Sequence, residues 1–97
     1  MEKVWEYNCN LTFNSKKITK FTITDHFQKK HSELKITLIV ELINKLDGKE
    51  VELTDYLGKR KVFKWKTTYQ GKNYRLIFWL KDNTDNHLWI RNCYRVD

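Results

Sequence analysis

The period of the apolar positions changes twice along the chain. Val4, Trp5 and Tyr7, then Leu11 and Phe13, then Ile18, Phe21 and Ile23 come in short groups, with Asn14-Ser15 separating two of them. This predicts two or three short N-terminal strands, one pair joined by a turn. From Thr24 the spacing becomes helical. Thr24 or Asp25 suits an N-cap, Gln28 follows Asp25 at capping-box spacing, and a short helix is expected over about 25–31. Ser32 or Thr37 can cap a second helix at 36–46, where Ile36, Ile39, Val40, Ile43 and Leu46 recur with Leu38 and Leu42 beside them until Asp47-Gly48.

After Gly48 the period becomes two. "KEVELTDY" alternates Val51 and Leu53, with Leu57 a candidate to continue the series; "RKVFKWKTTY" sets Phe63, Trp65 and Tyr69 against Val62, Lys64, Lys66 and Thr68. "KNYRLIFWL" sets Tyr74, Leu76, Phe78 and Leu80 against Arg75, Ile77 and Trp79. "HLWIRNCYRV" sets Leu88, Ile90, Asn92 and Tyr94 against His87, Trp89, Arg91, Cys93 and Arg95, and Gln70-Gly71 and Asp82 to Asn86 mark turns. The expected fold is α+β: short N-terminal strands and two helices packed on one face of a three- to four-stranded antiparallel sheet. The other sheet face mixes cations with tryptophan.

Composition narrows the class. Ninety-seven residues without proline and with three glycines suit one domain, residues 1–97, without linkers. The longest apolar run, Ile36 to Val40, is too short for a membrane span, and the N-terminus lacks the basic-then-apolar order of a signal peptide, so a cytoplasmic location is expected. Cys9 and Cys93 read as reduced structural thiols. The net charge of +7 is unevenly placed: residues 1–55 carry nine Lys/Arg and nine Asp/Glu, residues 56–97 ten against three. A polyanionic partner follows from that concentration. A solvated lysine surface is the plainer alternative, though it accounts less well for Arg75, Arg91 and Arg95.

Paired histidines in "ITDHFQKKHSE" invite a metal. His26 and His31 are five residues apart, however, which turns them about 140° from each other on a helix, so they do not grip one ion together. No CxxC, HxxxH, phosphate-binding glycine loop or nucleophile elbow occurs, and neither metal nor nucleotide cofactor is expected. The sheet face offers more. Lys64, Lys66, Arg75, Arg91 and Arg95 project to one side if the hairpins pair in simple register, with Trp79 and Trp89 among them, a combination suited to single-stranded RNA. Cleavage by 2′-OH attack would need in addition a base, a phosphoryl-stabilising cation and an acid. His26 is a candidate base or acid, Arg75 and Arg91 candidate charge stabilisers, and Lys64, Lys66 or Tyr94 candidates for the remaining proton transfer.

The stretch "LGKRKVFKWKTTYQGKNYRLIFWL…HLWIRNCYRV" resembles the RelE/ParE-type toxin superfamily and its wider grouping with barnase-like, EndoU and colicin ribonucleases. The likeness spans about residues 32–96 and rests on the strand Gly71 to Leu76 and on the closing Arg91 and Tyr94. It implies a metal-independent endoribonuclease toxin of a toxin–antitoxin or contact-inhibition system, acting on mRNA or tRNA and held in check by a cognate antitoxin or immunity protein. Carried over residue by residue, it points to Arg75, Arg91 and Tyr94, with Lys64 and Lys66 on the basic strand; "TITDHF" is similar to relatives in which a histidine opens the first helix. Common members begin with a long helical hairpin, whereas about 22 strand-like residues come first here. The alternatives are a non-catalytic single-stranded RNA-binding module and an immunity protein or antitoxin. The last fits worst, because neutralisers of basic toxins tend to be acidic.

Overall fold

Asn14 and Ser15 both adopt positive φ, 50° and 63°. Two such residues in succession give a tight turn whose twist matches that of the flanking strands, and they join β1 (Val4–Phe13) to β2 (Lys16–Thr24) as an antiparallel hairpin. The computed structural model describes residues 3–25 and 34–96. The short helix expected at 25–31 falls almost wholly on residues outside the described ones, as do His26 and His31.

Beyond this gap come α1 (Ile36–Asn44), β3 (Asp55–Leu57), β4 (Arg60–Tyr69), β5 (Lys72–Leu80) and β6 (His87–Val96). All six strands form one sheet in the order β1-β2-β6-β5-β4-β3. This corrects the expected three- to four-stranded antiparallel sheet carrying two helices: the sheet is six-stranded and mixed, and α1 is the one helix among the described residues. The N-terminal strands are part of the sheet, because β2 pairs in parallel with β6 from Lys20↔His87 to Ile23↔Ile90. A meander ending at β6 would leave that strand's ladder groups unpaired beside buried Leu88 and Ile90. The N-terminal hairpin covers this edge. Parallel pairing needs a long connection, which α1 and three intervening strands supply.

The core lies between α1 and the inner sheet face. Ile39, Leu42 and Ile43 of α1, with Leu46 just beyond it, are fully buried in one cluster with Phe13, Ile23, Leu76, Phe78, Leu88 and others. Each such side chain contributes about 1.5–3 kcal/mol by leaving water. Phe13 meets Phe63 and Phe78 edge-on at 5.1 and 5.4 Å. The helix starts at Lys35 without a side-chain cap; Thr37 lies inside it, and Ser32 is outside the described residues. It also ends earlier than its apolar spacing suggests. After Asn44 the chain tightens into a turn, with Leu46 N donating to Ile43 O at 2.9 Å, yet Leu46 stays buried. Gly48, at φ +79°, donates to Thr12 O at 2.7 Å, and Asp47 Oδ1 accepts from Thr12 N at 2.7 Å. The stop signal thus docks the helix exit on β1.

"KEVELTDY" does not extend as the expected strand. Only Asp55–Leu57 pairs with β4, while Val51 is held by the side chain of Asn14: its N–H donates to Oδ1 at 2.7 Å and its carbonyl accepts from Nδ2 at 3.0 Å. An amide in the first turn thereby replaces a ladder. Among the described residues no helix is long and apolar enough to cross a membrane.

Candidate nucleic-acid interface

Alternation along the strands places polar and aromatic side chains on the face opposite α1. A register slip then decides which residues of β6 join them. Ile77 pairs with Asn92 but Phe78 pairs with Ile90, so Arg91 is an extra residue in β6. Such a bulge reverses the in–out phase beyond it. Ile90 and Cys93, three apart, therefore both reach the core. Past the bulge, Tyr94 pairs with Arg75 and Arg95 with buried Tyr74. This corrects the simple alternation: Asn92 and Tyr94 fall on the open face, while Cys93 and Arg95 belong to the helix-bearing side. A second slip, between Asn8 and Leu11, places an extra residue in β1; on β2, Ile18 and Phe21, also three apart, both reach the core.

The open face has two zones. In the first, Lys66, Arg75 and Tyr94 sit side by side across three strands. Arg75 Nη1 donates to Tyr94 Oη at 3.4 Å, and its guanidinium lies 5.9 Å from the tyrosine ring centroid. Lys64 stands in the next row, opposite Ile77. This zone unites Lys64, Lys66, Arg75 and Tyr94. Arg95 lies on the other face, and His26 is outside the described residues.

In the second zone Trp79 of β5 pairs with Trp89 of β6, and Trp89 with Thr22 of β2. They floor a cleft of about 400 Å³ rimmed by Leu57, Arg60, Lys81, Asp82 and Arg91. The two rings are not equally accessible. Trp79 is only 6% exposed, with the Arg60 guanidinium 4.9 Å from its centroid. That guanidinium is gripped by Asp82 in a two-pronged bond, Nε to Oδ1 at 3.0 Å and Nη2 to Oδ2 at 2.9 Å. The pairing raises the Arg60 pKa and lowers that of Asp82 from their ordinary values, through the shared hydrogen bonds first. Trp89 is half-buried, with the Lys81 ammonium 5.9 Å from its ring.

Behind Trp89 the imidazole of His87, 6.4 Å away between centroids, is buried and hydrogen-bonded through Nε2 to Thr22 Oγ1 at 2.7 Å. Burial lowers its pKa below 6.5; the nearby Lys81 and Lys20 charges add to this and Glu6 opposes it. Its bond to Thr22 ties β6 to β2 next to Trp89. Both cysteines are free. Burial pushes the Cys93 thiol up to about 12 and raises that of Cys9, which disfavours the thiolate in both.

Arg60, Lys81 and Asp82 were not among the residues singled out from the sequence. Arg60 shares the alternation of Val62, Lys64 and Lys66, and one more step along β4 reaches it. Its partner could not be read this way, because Asp82 lies in a loop whose shape is set by Thr84 bonding to the Lys81 carbonyl at 2.7 Å. Among the described residues no group of three or more His, Cys, Asp or Glu could hold a metal ion. Comparison with protein-family models, with curated proteins and with solved structures finds no match for the chain.

Proposed function

We propose that the protein binds single-stranded RNA on the open face of its sheet. The carrying observation is the cross-strand Trp79–Trp89 pair, which floors a cleft rimmed by Arg60, Lys81 and Arg91. Unpaired bases stack on indole faces and phosphates seek guanidinium and ammonium groups, so the two demands of a single strand meet in one place. Trp89 is the stacking platform, since Arg60 already covers Trp79. The row of Lys66, Arg75 and Tyr94 extends the cationic surface past the cleft.

Titration with an unstructured oligoribonucleotide at rising salt tests this. Binding that weakens steeply with salt, and that Trp89→Ala reduces while leaving the fold intact, supports the proposal. Absence of binding at low salt, or binding indifferent to Trp89, overturns it.

A second reading, cleavage of that RNA by a toxin paired with an antitoxin or immunity protein, rests on the Arg75–Tyr94 contact. A phosphoryl group lodged beside Arg75 would have a cation for its developing charge and the Tyr94 phenol for proton transfer. This reading needs fragments ending in 2′,3′-cyclic phosphate that disappear in Tyr94→Phe while RNA binding persists. Intact RNA after prolonged incubation, with and without ribosomes, favours the non-catalytic module.

A further inference from the structure

A second cleft adjoins the aromatic one. It has a volume of about 470 Å³ and lies where the β3–β4 turn, the β5–β6 loop and the start of β2 converge at one end of the sheet. Its lining includes Lys16, Lys59, Arg60, Lys61 and Lys81, against one carboxylate, Asp82. That carboxylate is already engaged by Arg60. None of the four lysines makes an ion pair among the described residues. Cations brought together without counter-charge repel one another, and an anion that enters relieves this. The backbone fixes the arrangement. Gly58, at φ +62°, permits the two-residue turn that presents Lys59 between paired Leu57 and Arg60, and the bond from Thr84 Oγ1 to the Lys81 carbonyl holds the opposite wall.

The two clefts share Leu57, Arg60, Lys81 and Asp82. One is floored by indoles and the other is lined by cations, which is the division a nucleotide chain makes between bases and phosphates. We infer that the cationic cleft is the phosphate subsite of the same strand whose base lies on Trp89, with Arg60 at the junction. This deepens the RNA-binding reading above and rests on it. A single strand leaving the tryptophan cleft passes over the sheet end, where Lys59 and Lys61 each hold a backbone phosphate.

The test uses the full chain, a 12-nucleotide oligouridylate and the slope of log affinity against log salt. Two double substitutions remove equal charge: Lys59→Gln/Lys61→Gln in the cleft, and Lys35→Gln/Lys72→Gln by the β4–β5 turn. Each phosphate contact contributes about 0.7 to the slope for a single strand. The cleft pair is therefore expected to flatten the slope by about 1.4, and the distant pair to leave it in place. Lys59→Gln alone, in a turn outside the strands, is expected to flatten it by about 0.7 should the double variant fold poorly. Equal effects of the two pairs, or no effect of the cleft pair, overturn the subsite while leaving binding at Trp89 standing. Wild-type protein that binds no oligouridylate overturns the RNA reading and the subsite with it. A polyglutamate peptide of equal charge that competes as well as the oligonucleotide would assign the cleft to an acidic protein and overturn the phosphate subsite.

Discussion

Phe63 on the inner face and Trp79 on the open face are equally hidden, each 6% exposed, but different things hide them. Phe63 packs against Phe13 and Phe78 at ring separations of 5.1 and 5.7 Å inside a continuous apolar cluster. Trp79 lies under a guanidinium whose grip is an ion pair at the surface. Inner-face burial is bound up with folding itself, since opening it costs the packing of α1 on the sheet. Open-face burial rests on an exposed ion pair instead, and on the proposed reading a phosphate would compete with Asp82 for Arg60 without disturbing the core. The same strands therefore carry a structural surface on one side and an adaptable one on the other.

The comparison can be broken most severely from the inside. Leu42→Ala removes a fully buried side chain of α1 and is expected to lower unfolding free energy by about 2–5 kcal/mol, read by chemical denaturation. A smaller loss would mean that α1 contributes less to the core than its burial implies. On the open face, Trp89→Ala is expected to cost about 1–3 kcal/mol of RNA affinity, five- to roughly 150-fold in dissociation constant. Fluorescence anisotropy with labelled RNA measures it, and an unchanged constant would remove Trp89 as a platform.

Acidification separates the faces by another route. The folded pKa of His87 lies below its ordinary 6.5, so the unfolded chain takes up its proton first as pH falls. The contribution of neutral His87 is complete above about pH 6.5 and is lost as pH drops through the folded value. The thermal midpoint is expected to decline over that window, and His87→Gln to flatten the decline. The smallest expected effect is that of Asp82→Asn. It releases Arg60 from an exposed pair, and such pairs contribute little to stability. The melting curve should hardly move, while the indole N–H resonance of Trp79 shifts as its cover loosens. A fixed resonance would show that Arg60 stays on Trp79 without Asp82.

Much of this was legible in the chain. The period-two stretches from Arg60 onward, the turns at Asn14-Ser15 and Gln70-Gly71, and the apolar stripe of Ile36 to Leu46 all reflect local preferences of backbone and side chain, which act over a few residues. So does the mixing of Trp79 and Trp89 with lysine and arginine on one strand face. The register was not legible. One extra residue at Arg91 sends Tyr94 to the open face and Arg95 to the helix side, and no local preference announces it, because the slip is a compromise that lets both Ile90 and Cys93 face the core. The parallel seam between β2 and β6 was equally hidden, since pairing between residues more than 60 positions apart depends on which edge remains uncovered once the rest has folded.

By itself the sequence determined the type of each long element from β4 onward, the core stripe of the helix and the excess positive charge of the C-terminal half. These depend on periodicity and composition, which are properties of neighbouring residues. Only the tertiary structure decided that six strands make one sheet, that Arg60 covers Trp79 with Asp82 holding it, and that Lys16, Lys59, Lys61 and Lys81 line one cleft. Those outcomes follow from which edges pair and which loops meet, and the free energy that settles them comes from burying one shared core.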